Sequence, residues 1–240
     1  MKRICLTLLL LALSASGVRL GAQGIAFLHG NETLCYSIGH NLVPGNIGTM
    51  TFNGTDGGRT YHVDAVLHAA LGGLYTLDCS YGSTFRKDSG LTPVSATRSH
   101  TEKKYWVKSR YDWSAPGLVH LDVTKSSRPP RDEMLEWSGT VRDLIGAIWW
   151  LRTCDFDALS ASGRENNALL LDHDALPIRI ASAEHKTVRR SGRSVPVIEV
   201  VVIQGEKEGL RLTLTDDARR LPLKFSIALP FGTIKGNLKE

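Results

Sequence analysis

Fourteen consecutive residues, Val141 to Cys154 (VRDLIGAIWWLRTC), carry the only strong helical pattern downstream of the leader region. Val141, Leu144, Ile145, Ala147, Ile148, Trp149 and Leu151 share one broad arc of a helical wheel, and Arg142, Asp143, Gly146 and Trp150 fall opposite. Thr140 and Asp143 form a weak capping box, and Arg152 stands where a cation suits the last carbonyls. The run is too short to span a bilayer. A helix this apolar must be covered, and the segments around it all read as strands.

Those segments alternate with period two. Glu32–Val43 and Ile47–Asn53 read as a hairpin turning at Pro44-Gly45-Asn46. Strands follow at Arg59–Ala69, Leu74–Arg86, Thr92–Arg98, Lys103–Trp113 and Leu118–Thr124, with Gly72-Gly73 and Lys87–Gly90 as breaks. Ser126–Trp137 contains Pro129-Pro130 and reads as a surface loop, because two prolines remove ladder donors. Beyond the helix, Ser160–Asn167 is loop-like. Strands resume near Ala168–Leu171, Leu176–Val188, Ser194–Ile203, Gly209–Thr215, Leu221–Leu229 and Phe231–Leu238. Short connections make antiparallel neighbours the default. The expected fold is mainly β: an antiparallel curved sheet or open barrel wrapped around one central apolar α-helix.

Lys2 and Arg3 followed by the apolar run Ile4–Leu13 and small residues read as a secretory signal. Cleavage falls after Gly17 or near Ala22 or Gln23, the later site being preferred. That leaves residues 24–240 as a single periplasmic domain with no transmembrane span. Removing Lys2, Arg3 and Arg19 lowers the formal charge from +5 to +2, which is no electrostatic footprint for nucleic acid. Cys35, Cys79 and Cys154 remain. Alternation sets Cys79 on the apolar face of Tyr75, Leu77, Tyr81 and Phe85, and Cys35 opposite the face of Leu34, Tyr36 and Ile38. Those two should not pair, and three buried thiols acting as small apolar groups is the expectation.

Groups able to carry chemistry are sparse. His62, Asp64 and His68 share a strand face, without the spacing of a standard zinc site. Asp172-His173-Asp174 is explained by turn chemistry. There is no Gly-x-Ser-x-Gly elbow, and Cys154 follows a helix C-terminus, the wrong end of the dipole for a reactive thiol. Lys103–Trp113 mixes bases and aromatics as a single-strand nucleic-acid surface does. Alternation separates them, with Tyr105, Val107, Tyr111 and Trp113 on one face and Lys104, Trp106, Lys108 and Arg110 on the other, so a half-buried strand with a solvated basic face accounts for it. Glu199 interrupts an apolar strand and should pair with Arg179. The tip Arg189, Arg190, Arg193 reads as a soluble turn able to touch anionic lipid.

Three segments resemble a known family: GNETLCYSIGHNLVPGNIGTMTF (Gly30–Phe52), RDLIGAIWWLRTCDFDAL (Arg142–Leu159) and LTLTDDARRLPLKFSIALPFGTIKGNL (Leu212–Leu238). Together they are similar, in the same order, to exported proteins of domain of unknown function 3108 from Bacteroidetes and other Gram-negative bacteria. The third segment is the most specific, with Asp216-Asp217, Leu221-Pro222 and Phe231–Lys235. The resemblance implies an envelope location and a β-rich fold, and no reaction. A weaker likeness, in architecture only, is to periplasmic lipoprotein carriers.

The expected function is therefore non-catalytic binding of a lipid, lipoprotein or other apolar ligand between sheet and helix. Trp149, Trp150, Trp106, Trp113 and Tyr111 are the expected ligand residues. No catalytic residue, metal or cofactor is expected. A structural or interaction module of the envelope is the alternative, and an envelope enzyme the third reading.

Overall fold

A computed structural model describes residues 26–71, 75–88, 90–157, 166–229 and 232–240. The expected signal, the Gly72-Gly73 break and most of the Ser160–Asn167 loop lie outside them. After a 3-10 turn at Ala26–His29 come β1 (Glu32–His40), β2 (Val43–Asp56), β3 (Thr60–Leu71), β4 (Tyr75–Arg86), β5 (Pro93–Glu102), β6 (Tyr105–Ala115), β7 (Leu118–Lys125), β8 (Arg128–Glu136) and β9 (Thr140–Arg142). Helix α1 (Leu144–Thr153) precedes β10 (Asn167–Leu171), β11 (Asp174–Arg190), β12 (Arg193–Gln204), β13 (Lys207–Thr215), β14 (Pro222–Leu229) and β15 (Gly232–Leu238).

All fifteen strands belong to one sheet, in the order β8-β7-β6-β5-β4-β3-β2-β1-β15-β14-β13-β12-β11-β10-β9. The sequence neighbours that pair do so antiparallel, as short connections require, and so do β1 and β15. β9 and β10 are the exception: they run parallel, with α1 in the crossover between them. The sheet is open, since its end strands β8 and β9 do not pair. The ends nevertheless meet at the β6–β7 turn, where Val141 N–H donates to Pro116 O at 2.9 Å, Trp137 N–H to Gly117 O at 2.8 Å and Trp113 Nε1–H to Val141 O at 2.9 Å. Gly117 makes that approach possible, and Gly139 lets the chain entering β9 pass close to the start of β10. A Cβ on Gly117 would lie 2.0 Å from Trp137 O, and one on Gly139 1.7 Å from Asn166 O.

The inner face holds two apolar cores. The larger joins α1 to β1–β4 and β12–β14, and Phe52 sits 5.3 Å from Trp149 and Tyr36 5.1 Å from Phe225, centroid to centroid. The smaller packs Ala96, Val107, Tyr111, Val119, Leu121 and Val123 of β5–β7 against Val141, Ala168 and Leu170 of β9 and β10. Each large apolar side chain removed from water contributes about 1.5–3 kcal/mol, so these cores, rather than the absent edge pairing, hold the two ends together.

Several expectations need correcting. α1 starts at Leu144, because Val141 and Arg142 belong to β9 and Asp143 is the N-cap, accepting from the Ile145 and Gly146 amides. No side of the helix is open to solvent: every residue from Ile145 to Arg152 is buried, including Gly146 and Trp150 on the arc read as polar. Arg142 is buried as well, its guanidinium 5.0 Å from the Trp150 ring and donating to Leu91 O at 2.9 Å. Ser126–Trp137 is mostly strand β8. Proline is tolerated there because β8 is an edge strand, and Pro129 and Pro130 sit where the β7–β8 register slips. The first hairpin turns at Asn41-Leu42, and Pro44 to Asn46 lie inside β2 at a bulge between Gly39 and His40. Of the described thiols only Cys79 is buried; Cys35 is exposed and Cys154 half-buried.

Candidate functional site

The longest hairpin, β11–β12, builds the pocket. Ser191 and Gly192 turn its tip with φ of 46° and 79°, the left-handed pair of a type I′ turn. A bulge after Ile180 raises the local twist. Val197 is the last β12 residue opposite β13, facing Thr215, so the tip projects beyond that strand. It then bends over the outer face of β14 and β15. Arg190 Nη2 donates to Leu238 O at 2.7 Å, and its Nε lies 3.6 Å from the Glu240 carboxylate. His185 Nδ1 is 2.7 Å from Asp216, and Asp216 N–H donates to Pro196 O at 3.0 Å.

Beneath the tip is a pocket of about 220 Å³ lined by Val188, Arg189, Arg190, Thr213, Leu223, Lys224, Asn237, Leu238 and Glu240. Thr213, Lys224 and Asn237 are aligned across three strands and set the outer row. Leu223 is the extra residue of a β14 bulge. It is 5% exposed yet belongs to neither inner core, because the bulge turns it outward under the hairpin. The result is an apolar floor with a basic rim. Glu240 answers Arg190, whereas Arg189 and Lys224 have no ion pair among the described residues. Such a rim attracts an anion, and the floor accepts a short apolar group beside it.

The five aromatics expected to bind ligand do not converge. Trp149 is fully enclosed in the larger core and Trp150 is 6% exposed there. Tyr111 and Trp113 belong to the smaller core, 6.3 Å apart. Trp106 points outward and is 36% exposed. Of the pocket residues, sequence reasoning singled out only Arg189 and Arg190. Lys224, Leu223 and Asn237 lie on strands distant in the chain, and no local pattern marks them.

Other clusters are bound up in structure. His62 contacts Asp64 at 3.1 Å and Thr84 at 2.8 Å, while His68 contacts Asp78 at 2.7 Å. Among the described residues no group of three or more His, Cys, Asp or Glu could hold a metal. Cys79 Sγ is 3.2 Å from His100 Nδ1. Burial pushes the thiol up and the imidazole down, which favours two neutral groups over a thiolate–imidazolium pair. Asp172, in the β10–β11 turn at φ 55°, ties that turn to the opposite wall through Arg98 and through Lys125 at 3.2 Å. Burial raises its carboxyl, and the two cations more than offset that, leaving it below the usual range. Glu199 is not buried beside Arg179. It faces out, held by Lys186 at 2.8 Å and Arg211 at 3.0 Å, and the Lys186 hydrogen bond chiefly lowers its carboxyl.

Comparison with known proteins places the chain in context. Residues 35–239 match the family described as "Protein of unknown function (DUF3108)". No curated protein matches. Among solved structures it is similar to the beta-barrel-like protein of domain of unknown function DUF1849 from Brucella abortus, with a TM-score of 0.56 and 8% identity over 87% of this chain and 95% of that one. That likeness is one of fold. No helix among the described residues is long and apolar enough to cross a membrane.

Proposed function

The chain belongs to the family of proteins of unknown function DUF3108, and from that premise we propose that it is an exported, non-catalytic binding protein for an anionic amphiphile such as a lipid or the acylated end of a lipoprotein. In this reading Lys2–Gln23 directs it to the periplasm, the curved sheet wraps α1 as a rigid frame, and Trp149 and Trp150 are core residues of that frame.

One observation carries the proposal: the pocket under the β11–β12 tip sets unpaired Arg189 and Lys224 around Val188, Leu223 and Leu238. Its volume of about 220 Å³ is below that of a site enclosing a drug-sized ligand. It therefore takes a charged head and the first carbons, and leaves the rest of a chain outside.

Native mass spectrometry and solvent extraction of the exported protein test this. The expected result is a co-purifying anionic lipid that is lost from Arg189→Glu/Lys224→Glu. A lipid-free parent that also fails to bind a fatty-acid carboxylate or phosphatidylglycerol overturns the reading and favours an envelope interaction module.

A further inference from the structure

The strand order puts the β1–β2, β5–β6, β7–β8, β10–β11 and β12–β13 turns at one end of the sheet. Among the described residues five large apolar side chains are exposed: Leu42, Tyr105, Trp106, Met134 and Leu176. All but Met134 lie in or beside those turns, so exposed apolar surface concentrates where the chain turns at that end.

Two adjacent turns there are also basic. Lys103, at φ 52°, and Lys104 form the β5–β6 turn. Trp106 and Lys108 follow on the outer face of β6, both exposed. Trp106 is tied to the β7–β8 turn, since Ser126 N–H donates to Trp106 O at 3.0 Å and Trp106 N–H to Ser126 Oγ at 3.2 Å. Arg128 opens the next strand. None of Lys103, Lys104, Lys108 and Arg128 has an ion pair among the described residues, and Glu102 is the acid beside them, 3.7 Å from His100.

We infer that the paired tips of the β5–β6 and β7–β8 hairpins are a contact site for an anionic bilayer surface, with Trp106 as the interfacial anchor and Lys103, Lys104, Lys108 and Arg128 as its cations. An indole fits the boundary between headgroups and acyl chains, because its ring is apolar and its N–H polar. Lysine stems lie along apolar surface while their ammonium groups reach the phosphates. A nucleic-acid strand fits less well. It needs several aromatic platforms in a row, and here Tyr105 turns from the outer face toward His100, 6.1 Å between rings, so Trp106 is unaccompanied there. The site is independent of the hairpin pocket, which is built on other strands.

The test is co-sedimentation of the purified protein with vesicles of equal parts phosphatidylglycerol and phosphatidylcholine, beside vesicles of phosphatidylcholine. Binding is expected to the anionic vesicles and to weaken with salt. Lys103→Glu/Lys104→Glu should lower the apparent affinity at least about ten-fold, and Trp106→Ala should lower it as well. Lipids brominated in their acyl chains should quench part of the tryptophan emission, and that part should vanish in Trp106→Phe. Arg59→Glu, an exposed residue of the β2–β3 turn at the opposite end of the sheet, should bind vesicles as the parent does. The inference is overturned if the parent stays in the supernatant, if both tip variants bind like the parent, if Arg59→Glu weakens binding as much as Lys103→Glu/Lys104→Glu does, or if an oligodeoxythymidine displaces the vesicles. Circular dichroism of each exposed-site variant shows whether the fold is kept.

Discussion

Arg152 in the last turn of α1 and Glu32 at the start of β1, 120 residues apart, form a two-pronged ion pair, with Nη1–Oε1 at 2.5 Å and Nη2–Oε2 at 3.0 Å. The Arg152 side chain is fully enclosed. Its remaining donors reach Arg220 O and Arg219 O at 3.1 and 3.3 Å, and its guanidinium lies 3.7 Å from the centre of the Phe27 ring. A single cation thus binds the helix to the first strand and to the β13–β14 turn. A planar guanidinium with a hydrogen bond at each of its three nitrogens is what makes such burial tolerable.

Glu32→Ala should cost about 3–5 kcal/mol, because it leaves that cation buried without its carboxylate. Glu32→Leu/Arg152→Leu should cost less than the sum of the single changes. Urea unfolding of the four proteins in the cycle measures this, and strict additivity would mean that the pair contributes nothing as a pair.

Trp149→Ala should destabilise by about 3–5 kcal/mol, as deletion of a large core aromatic does, since its ring is wholly enclosed beside Phe52. Trp106→Ala, on the surface, should stay within about 0.5 kcal/mol. A Trp149→Ala loss under about 1 kcal/mol would place the helix outside the cooperative core.

Asp143 caps α1 and also accepts from Ser83 Oγ at 2.8 Å. Asp143→Ala removes the cap and orphans the buried hydroxyl, so about 2–4 kcal/mol should be lost. Asp143→Asn should keep most of the stability, because asparagine caps as well. Thermal unfolding of both variants distinguishes a capping role from a role that needs the charge.

The Asp216 hydrogen bond, aided by Asp157 at 3.4 Å, raises His185 above the ordinary histidine value. A raised histidine stabilises the folded form fully below its unfolded value, and that contribution disappears as pH climbs through the folded one. Hydrogen exchange in the β11–β12 hairpin should therefore quicken, beyond its intrinsic base catalysis, as pH rises through the upper histidine range. His185→Gln should remove that extra step, and a step that survives the substitution would assign it elsewhere.

Gly117→Ala and Gly139→Ala should each cost about 1–3 kcal/mol from overpacking, because the added Cβ would strike Trp137 O, where the sheet ends meet, in the first and Asn166 O, beside β10, in the second. Gly192→Ala, with open space around it but φ at 79°, should lose stability through backbone strain only. Parallel melting curves would show whether the ends of the sheet are as tightly apposed as the structure has them.

Period-two alternation made most strands legible, because each had one face toward a core. Lys103–Trp113 fell nearly where β6 does, and Tyr111 went in while Arg110 stayed out. Strand β8 escaped notice because almost all its residues are exposed. An edge strand with no buried face has no hydrophobic alternation to read, and its prolines pointed the other way. The helix was legible as a helix, but the wheel could not show that its polar arc is buried too. There Arg142 donates to Leu91 O and Asp143 accepts from Ser83 Oγ, partners more than 50 residues away in the chain.

The candidate pocket was the least legible part. Arg189 and Arg190 announce a basic tip, but Lys224 and Leu223 join it only because a long hairpin bends across two other strands and a bulge turns one leucine outward. Local pattern, set by side-chain size and polarity along a few residues, determined that this chain makes many strands and one apolar helix. Which outer face the hairpin covers, which charges are left unpaired, and how the ends of an open sheet are held depend on contacts between segments as much as 204 residues apart, as Lys239 and Cys35 are. Those contacts were decided by tertiary packing, where twist, bulges and buried partners act together and no short stretch of sequence contains them.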